Sequence, residues 1–297
     1  MKPLLTAFQK KYPGIKLSSY RLNGGTNVVR VIQEHQAGKL SMDVGWANMI
    51  QVQPLVEKDL LVTMTDEWVK SMGVNPDKVL INNKWIGTYD QAPVFIYNKN
   101  LVSAADVPKS FEDLLDPKWK GGKILMTPST IIWGQLYELW LRDKRKVKDI
   151  VARLRGQEVI LASTNFSVPR RLAAGEAPIG VTFVTSAADA IKKGAPVALC
   201  PLSPTVAPTG GLYIPKGVPH PNAAKLLLGW LASEEAQLIW NKKVRRGWVT
   251  SDPESAPAAK LMIESGVKYK RVTTQKELKI LLELGKTAYD IMGFTPK

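Results

Sequence analysis

Three short segments rich in hydroxyl and amide side chains each lie between a predicted strand and a predicted helix. Thr26 lies in the first segment, Ser129 and Thr130 lie in the second, and Asn165 and Ser167 lie in the third. Hydroxyl and amide groups donate hydrogen bonds. The unpaired backbone N–H groups at the start of a helix give that end a partial positive charge. Such a segment can hold a small anion or a polar solute. The same residue types also serve as simple helix caps, and the sequence leaves both interpretations open.

One tryptophan stands where ligands are usually bound in open α/β sheets. Trp46 ends a short predicted strand, Asp43–Trp46. Ligands of such sheets lie beyond the carboxyl ends of the strands. Trp46 is therefore a better pocket candidate than the other tryptophans, although a buried core residue would have the same pattern.

Alternating strands and helices must position these residues. Apolar residues with a period near two predict strands, and a period near 3.6 predicts helices. Such alternation is typical of α/β domains with parallel sheets. Strands are predicted at 15–22, 43–46, 92–97, 123–126, 159–162, 179–183, 197–201 and 211–215. Helices are predicted near the N-terminus, at 28–36, 47–57, 66–72, 127–141, 168–174, 187–193, 224–231, 256–265 and 275–292, and from Ser233 onward.

Length and composition indicate a globular protein of two domains. The chain has 297 residues, of which 45% are hydrophobic and 23% are charged. This length suits two domains of ordinary size. No run of 18 apolar residues occurs, so the sequence predicts no membrane-spanning helix. The single cysteine, Cys200, is interpreted as a buried apolar residue in a strand.

The formal net charge of +15 allows three interpretations. Basic residues cluster at 142–148, 241–246 and 268–271. A nucleic-acid surface would need such a patch together with aromatic residues or a reading helix. The first two clusters lie on or beside amphipathic helices, which favours a solvated helix face. Attraction of small anions by the field of the whole protein is the third interpretation.

The motifs of familiar enzymes are missing from the sequence. It contains no Gly-x-Ser-x-Gly turn, no glycine-rich phosphate loop ending in Gly-Lys-Ser/Thr and no His-Glu-x-x-His. The two histidines, His35 and His220, are predicted on a polar helix face and in a turn. This disfavours a histidine-based metal site or catalytic triad. We therefore expect no enzymatic activity, no cofactor and no bound metal.

Three stretches, in the same order along the chain, resemble a known family. Ser110–Lys123 contains Leu-Asp-Pro-Lys-Trp-Lys-Gly-Gly-Lys, and Val168–Val181 contains a helix, an Ala-Gly-Glu turn and a strand. Ala207–Trp240 contains a Gly-Gly strand, the turn Pro-Lys-Gly-Val-Pro-His-Pro and a helix. Together they resemble the type II solute-binding proteins of ABC importers, in particular the branch with ferric-ion, polyamine, thiamine and phosphonate binders.

The resemblance implies a two-lobed α/β fold of the type II periplasmic-binding-protein kind. Each lobe would be a mostly parallel sheet flanked by helices, with a ligand cleft between the lobes. Residues 1–92 and 212–297 would form lobe one, and 93–211 would form lobe two. A hinge would lie at the crossover strands near 92–97 and 210–214.

The resemblance also implies a location and a partner. A periplasmic or extracytoplasmic protein would close around a small solute and present it to an ABC permease in the inner membrane, as a monomer and without nucleic acid. The first residues lack the pattern of a signal peptide and resemble the family's first helix. In the family a signal peptide and a buried strand precede this helix, so we expect the sequence to begin one strand late.

The same resemblance narrows the solute. Ferric binders of the family use adjacent tyrosines after the strand that corresponds to Ile179–Phe183, where this chain has Val184-Thr185-Ser186. The hydroxyl- and amide-rich segments and the net charge of +15 favour a phosphonate, phosphate ester or carboxylate as the solute. An iron complex or a polyamine is an alternative, and so is a ligand-sensing effector or nucleic-acid-associated module. The ligand-binding residues predicted from the pattern and the resemblance together are Thr26, Trp46, Tyr89, Ser129, Thr130, Asn165, Ser167 and Phe183.

Overall fold

The structure of the chain is a computed structural model that describes residues 2–20, 22, 24–90, 92–244 and 256–294. Arg245 and Arg246 of the second basic cluster lie outside these residues. Within the described residues, no helix is long and apolar enough to cross a membrane. The chain divides into two compact units. The first takes in the described residues of 1–90, 208–248 and 273–275, and the second those of 91–207, 249–272 and 276–297.

Helices and strands alternate along much of the chain, as the sequence predicts. The α-helices are α1 (Lys2–Lys11), α2 (Gly24–Gln36), α3 (Gln53–Glu57), α4 (Asp66–Ser71), α5 (Tyr137–Arg142), α6 (Lys144–Arg155), α7 (Val168–Ala173), α8 (Val184–Lys192), α9 (Pro221–Ala232), α10 (Glu234–Ile239), α11 (Pro257–Ser265) and α12 (Gln275–Met292). The strands are β1 (Gly45–Asn48), β2 (Val79–Leu80), β3 (Trp85–Asp90), β4 (Pro93–Asn98), β5 (Ile124–Met126), β6 (Ile160–Leu161), β7 (Ile179–Phe183), β8 (Val197–Leu199), β9 (Thr205–Ala207), β10 (Thr209–Tyr213) and β11 (Tyr269–Arg271).

The first unit is built on a four-stranded sheet with the order β1-β10-β3-β2. Helices α1 and α9 pack their apolar faces into its core. Leu4 and Phe8, four residues apart on α1, are fully buried, as the helical period requires. Ser233 caps α10, since its Oγ accepts the Ala236 N–H at 3.4 Å. The prediction that a second helix starts at Ser233 is confirmed.

The second unit is built on a five-stranded sheet with the order β6-β5-β7-β4-β8. Strands β5, β6 and β7 are parallel, so their carboxyl ends meet at one edge. Strand β4 is antiparallel to both β7 and β8. The core between this sheet and helices α7, α8 and α11 is made of small and branched apolar residues. A separate parallel pair joins β9 and β11.

The prediction of mostly parallel sheets is wrong for the first unit and only half right for the second. Every pairing in the sheet of the first unit is antiparallel. An uninterrupted apolar strand shows that both of its faces are covered. Cover on both faces does not fix the direction of the neighbouring strand, so the apolar pattern cannot distinguish the two cases.

Two further elements differ from the predictions near the N-terminus. The described residues of 15–22 form no strand. A segment of alternating apolar and polar residues becomes a strand only when its backbone N–H and C=O groups pair with a neighbouring strand. The helix predicted at 47–57 is shorter, because β1 continues to Asn48 and α3 begins at Gln53. Asn48 turns the chain between them, since its Oδ1 accepts the Ile50 and Gln51 N–H groups.

The C-terminal tail packs in the second unit and not, as predicted, on lobe one. Lys144 of α6 bridges Glu283 of α12 at 2.7 Å, and Gly285 of α12 lies so close to Thr130 that a side chain there would overlap its backbone. The sequence pattern of an amphipathic helix shows that one face is buried. It does not show which domain packs against that face. The chain passes from the first unit to the second before β4 and returns to the first unit before β10. Strand β4 therefore lies wholly in the second unit and β10 wholly in the first.

Candidate functional site

Three aromatic side chains of the first unit form one group, here called the aromatic cluster: Trp46 of β1, Tyr89 of β3, and Trp240, which follows α10. The Trp46 ring lies 5.0 Å from the Tyr89 ring and 5.5 Å from the Trp240 ring, centroid to centroid. These distances suit favourable tilted and edge-to-face contacts. Trp46 is half-buried, whereas Tyr89 and Trp240 are buried. Trp46 is therefore the member of the cluster that a solute can reach.

The glycine opposite Tyr89 makes this cluster possible. Gly210 of β10 pairs with Tyr89, and an added Cβ on Gly210 would overlap the Tyr89 ring. Because glycine leaves that space empty, the ring can lie across β10. Next to it, the fully buried Asp90 accepts a hydrogen bond from Thr209 Oγ1 at 3.0 Å. The Asp90 carboxylate thereby ties the ends of β3 and β10 together.

The predicted contact Thr26 lies on helix α2, which begins earlier than the sequence predicts. Helix α2 begins at Gly24, four residues before the predicted start at Val28, so Thr26 and Asn27 lie within its first turn. Asn27 instead donates from Nδ2 to the buried Tyr213 hydroxyl at 3.3 Å. Burial raises the pKa of Tyr213, which keeps the hydroxyl protonated. Thr26 is exposed.

In the second unit, three polar residues meet at the carboxyl edge of the parallel strands: Thr127 after β5, Asn165 after β6 and Thr182 near the end of β7. We call them the hydroxyl–amide cluster. Thr127 Oγ1 donates to Asn165 Oδ1 at 2.7 Å, and Thr182 Oγ1 donates to the Asn165 carbonyl oxygen at 2.6 Å. Both oxygens of Asn165 are thus engaged. Among the described residues its amide nitrogen has no acceptor, so it remains available as a donor.

The other polar residues predicted for this unit surround the cluster. The Ser129 N–H donates to the Thr127 carbonyl oxygen at 2.8 Å, and Ser129 Oγ accepts the Ile131 N–H at 3.4 Å. Thr130 begins a 3₁₀ helix, Thr130–Leu136, where the sequence predicts the start of an α-helix. Ser167 donates from Oγ to the Thr164 carbonyl oxygen at 2.8 Å. Ser129 and Ser167 are therefore occupied in part by local turns.

Near the start of α8, the described residues include one buried hydroxyl without a hydrogen-bond partner. Phe183 occupies the N-cap position and offers no side-chain oxygen to the helix. Ser186, the third residue of α8, is 8% exposed, and its Oγ has no hydrogen-bond partner within the described part of the chain. Side chains at a helix start lean toward the N-terminus, so this hydroxyl is directed toward the positive end of α8.

Sequence reasoning identified part of each group of residues. It named Trp46, Tyr89, Asn165 and Phe183, but it missed Trp240, Thr127, Thr182 and Ser186. A threonine near the end of an apolar strand was a usable signal for Thr182. No local signal places Trp240 behind Trp46, because the two residues are far apart in the sequence and meet only in the folded unit.

The chain has no obvious metal-binding group in the part that the structure describes. There, no group of three or more His, Cys, Asp and Glu residues could hold a metal ion. None of the residues of the hydroxyl–amide cluster is titratable. Its chemistry is therefore that of neutral hydrogen-bond donors and acceptors.

Comparison with known proteins gives two partial relatives. An uncharacterized protein of Haemophilus influenzae is 32% identical over 146 residues, which cover 46% of this chain and 41% of that protein. A Fe(3+)-binding periplasmic protein of Serratia marcescens is 29% identical over 122 residues, or 37% of this chain and 32% of that protein. The chain thus matches less than half the length of these curated relatives.

Solved structures match over nearly the whole chain. A ferric binding protein from Campylobacter jejuni has a TM-score of 0.78 at 18% identity and covers 99% of this chain and 96% of its own. The Atu4243–GABA receptor has a TM-score of 0.77 at 18% identity and covers 100% and 94%. Identities this low show a common fold only, which is the two-lobed type II periplasmic binding fold.

A family model gives the most direct assignment. The model described as bacterial extracellular solute-binding protein matches residues 4–270, which include the aromatic cluster and the hydroxyl–amide cluster. The resemblance seen in the three sequence stretches is confirmed. The chain belongs to the bacterial extracellular solute-binding protein family.

Proposed function

We propose that this protein is the solute-binding component of an ABC importer and that it binds a small anionic organic solute. A phosphonate, a phosphate ester or a carboxylate would fit. The solute would be held by the hydroxyl–amide cluster and the start of α8, and the aromatic cluster would provide an apolar wall. Thr26, Ser129, Thr130, Ser167 and Phe183 remain predicted contacts.

The observation that carries this proposal is the state of Asn165. Its side-chain oxygen accepts a hydrogen bond from Thr127, which orients the side-chain amide, and its backbone carbonyl oxygen accepts one from Thr182, which holds the loop. The amide nitrogen therefore presents N–H donors in a set direction. Thr182, which holds the Asn165 backbone, lies two residues before the start of α8, where the helix end is positive. A fixed donor beside a positive helix end suits an oxygen anion.

Charge supports the same class of solute. The formal net charge of +15 attracts anions to the protein as a whole. The hydroxyl–amide cluster adds no carboxylate that would repel an anion. A polyamine would instead require acidic groups, and Asp90, beside Tyr89, is fully buried and hydrogen-bonded to Thr209.

The family supports a location and a partner for the protein. We propose that it works outside the cytoplasm, in the periplasm or at the outer face of the membrane, as a monomer that delivers its solute to a membrane permease. Closure of two lobes about a hinge near 92–97 and 210–214 is part of this proposal. Solute binding would stabilise the closed form through contacts made only there.

Ferric iron is the second candidate, because two of the similar proteins are named as ferric-binding proteins. The described residues offer no cluster of acidic, histidine or cysteine ligands, and Thr185-Ser186 stands where the resemblance expects tyrosines. A complex of iron with an organic anion would therefore suit these residues better than the bare ion. In that case the same donors would contact the anion.

A thermal-shift screen separates these possibilities. The panel would contain methylphosphonate, glycerol 3-phosphate, succinate, ferric chloride, ferric citrate, spermidine and glucose. A solute at a hundred times its dissociation constant adds about 2.7 kcal/mol to the free energy of unfolding, which raises the melting temperature measurably. A shift with an organic anion alone supports the proposal. A shift with ferric chloride or spermidine alone contradicts it, and no shift at all would favour an effector domain.

A further inference from the structure

Helix α6 divides sharply into a buried apolar face and an exposed basic face. Its 12 residues read KRKVKDIVARLR, with six basic residues and one acidic residue. The buried residues are Val147, Ile150, Val151 and Leu154. Because these four hold the helix against the second unit, the orientation of the basic face toward solvent is fixed. All six basic side chains are exposed.

Several of these cations are already engaged within the unit. The engaged pairs are Lys144 with Glu283 at 2.7 Å, Lys146 with Glu112 at 2.9 Å, Arg153 with Asp149 at 3.7 Å, and Arg155 Nη1 with the Ile291 carbonyl oxygen at 3.1 Å. These contacts fix the edges of the helix. Arg145 and Lys148 remain on the outer face, which also carries the exposed Asp149 that pairs with Arg153.

Three cations have no such partner among the described residues: Arg142 at the end of α5, and Arg145 and Lys148 on α6. We call them the α6 basic face. Arg145 and Lys148 are three residues apart, so they lie on the same side of the helix. Leu141, next to Arg142 in the chain, is a 49% exposed apolar side chain. The face thus combines free positive charge with an exposed leucine.

We propose that the α6 basic face docks on the anionic headgroups of a lipid bilayer. A stable protein–protein interface usually has an apolar core with few charges, and this face offers one leucine among cations. An anionic bilayer needs only basic side chains near its surface, and each of them strengthens binding about fivefold. The proposal does not depend on the solute. It would keep the protein at the membrane in which its permease resides.

Vesicle sedimentation with the full chain tests the proposal. The unmodified protein should bind mixed phosphatidylglycerol–phosphatidylcholine vesicles at low ionic strength and be released at high ionic strength, because salt screens such contacts. It should not bind pure phosphatidylcholine vesicles. The variant R142E/R145E/K148E should lose affinity for the mixed vesicles by on the order of 100-fold, since three contacts of about fivefold each are removed.

A charge-matched variant separates a local face from a general effect of net charge. Lys10, Lys58 and Lys70 are exposed lysines of the first unit. Their triple change to glutamate, like that of the basic face, lowers the net charge by six, from +15 to +9. This variant should keep most of the affinity for the vesicles. Thermal melts of both variants show whether the fold is retained.

Two results would overturn the proposal. Equal losses in the two triple variants would mean that net charge alone attracts the protein to vesicles. Failure of the unmodified protein to bind the mixed vesicles would exclude a lipid surface and leave an acidic protein as the partner that this face fits.

Discussion

The two groups of candidate residues are held in place by different forces. In the first unit, the aromatic cluster depends on packing: Tyr89 lies over Gly210, and Trp46 leans on Tyr89 and Trp240. In the second unit, the hydroxyl–amide cluster depends on hydrogen bonds from Thr127 and Thr182 to Asn165. Substitutions that change the shape of a packed side chain should therefore disturb the aromatic cluster. Substitutions that remove a hydrogen-bond donor should disturb the hydroxyl–amide cluster.

The two sheets account for this difference. Parallel strands β5, β6 and β7 bring their carboxyl ends to one edge, where the loops that follow them exchange hydrogen bonds. The antiparallel strands β1, β10 and β3 bring side chains side by side across their faces, where rings can stack. The sheet of the first unit thus carries a group of packed rings, and the sheet of the second unit carries a group of polar side chains.

Filling the space at Gly210 should have the largest effect. In Gly210→Ala, the new methyl group would overlap the Tyr89 ring, so the ring or the strand must move. Overpacking of this kind costs about 1–3 kcal/mol, and we expect a value near the top of that range because β10 is buried in the centre of the sheet. Chemical denaturation would measure the loss in the free energy of unfolding.

Gly14→Ala is the matched control for this variant. An added Cβ at Gly14 meets no atom within 4 Å, so its stability should be unchanged. If Gly210→Ala were as stable as Gly14→Ala, the aromatic cluster would not depend on the space that the glycine leaves.

Removing the Trp46 ring should affect binding more than stability. Trp46 is half-buried, so Trp46→Ala should cost about 1–2 kcal/mol of stability, less than a fully buried tryptophan. Loss of an aromatic wall should weaken solute binding on the order of 30-fold. Titration of the anion that gives the largest thermal shift would measure this. A variant that unfolds without a selective loss of binding would identify Trp46 as a core residue only.

An ion-pair group on the surface of the first unit should give the smallest effect. Asp59 bridges Lys84 at 2.5 Å and Lys216 at 2.6 Å. Hydrogen bonds from Lys216 and then Lys84 lower the pKa of Asp59 from 3.8 to about 2. A carboxyl whose pKa is lower in the folded state stabilises the fold above its unfolded pKa, and this contribution is lost as the pH falls through the folded pKa.

The melting temperatures of the unmodified protein and of Asp59→Asn should therefore differ slightly at neutral pH and converge as the pH falls from about 4 to about 2. The effect is small because the Asp59 side chain is 62% exposed. Asp77→Asn, at another exposed aspartate of the same unit, is the control for removing one surface carboxylate. A difference between the unmodified protein and Asp59→Asn that persists at pH 2 would exclude this role for the ion pairs.

Much of the local structure could be predicted from the sequence. Strand β7 and helix α12 have the bounds that the pattern predicts, because an apolar run and a regular helical period are both local signals. Asn165 was found because polar residues between a strand and a helix also form a local pattern. The three motif stretches identified the family correctly.

Other features arise only from tertiary contacts and could not be predicted. The direction of β10 against β1 and β3 depends on how the chain returns to the sheet. The packing of α12 in the second unit depends on the contact of Gly285 with Thr130. The hydrogen bonds of Asn165 depend on Thr127, which follows β5, and on Thr182 of β7.

The most direct test of the proposed anion site is titration of Asn165→Asp. The aspartate keeps an oxygen for Thr127 and leaves the backbone oxygen for Thr182, but it replaces the amide donor with a negative charge. Isothermal titration with methylphosphonate, glycerol 3-phosphate and succinate would compare it with the unmodified protein and with Asn222→Asp, an exposed control at the start of α9. We predict that Asn165→Asp melts normally, that its affinity for the bound anion falls at least on the order of 100-fold, and that Asn222→Asp binds as the unmodified protein does. Unchanged anion binding by Asn165→Asp would contradict the account.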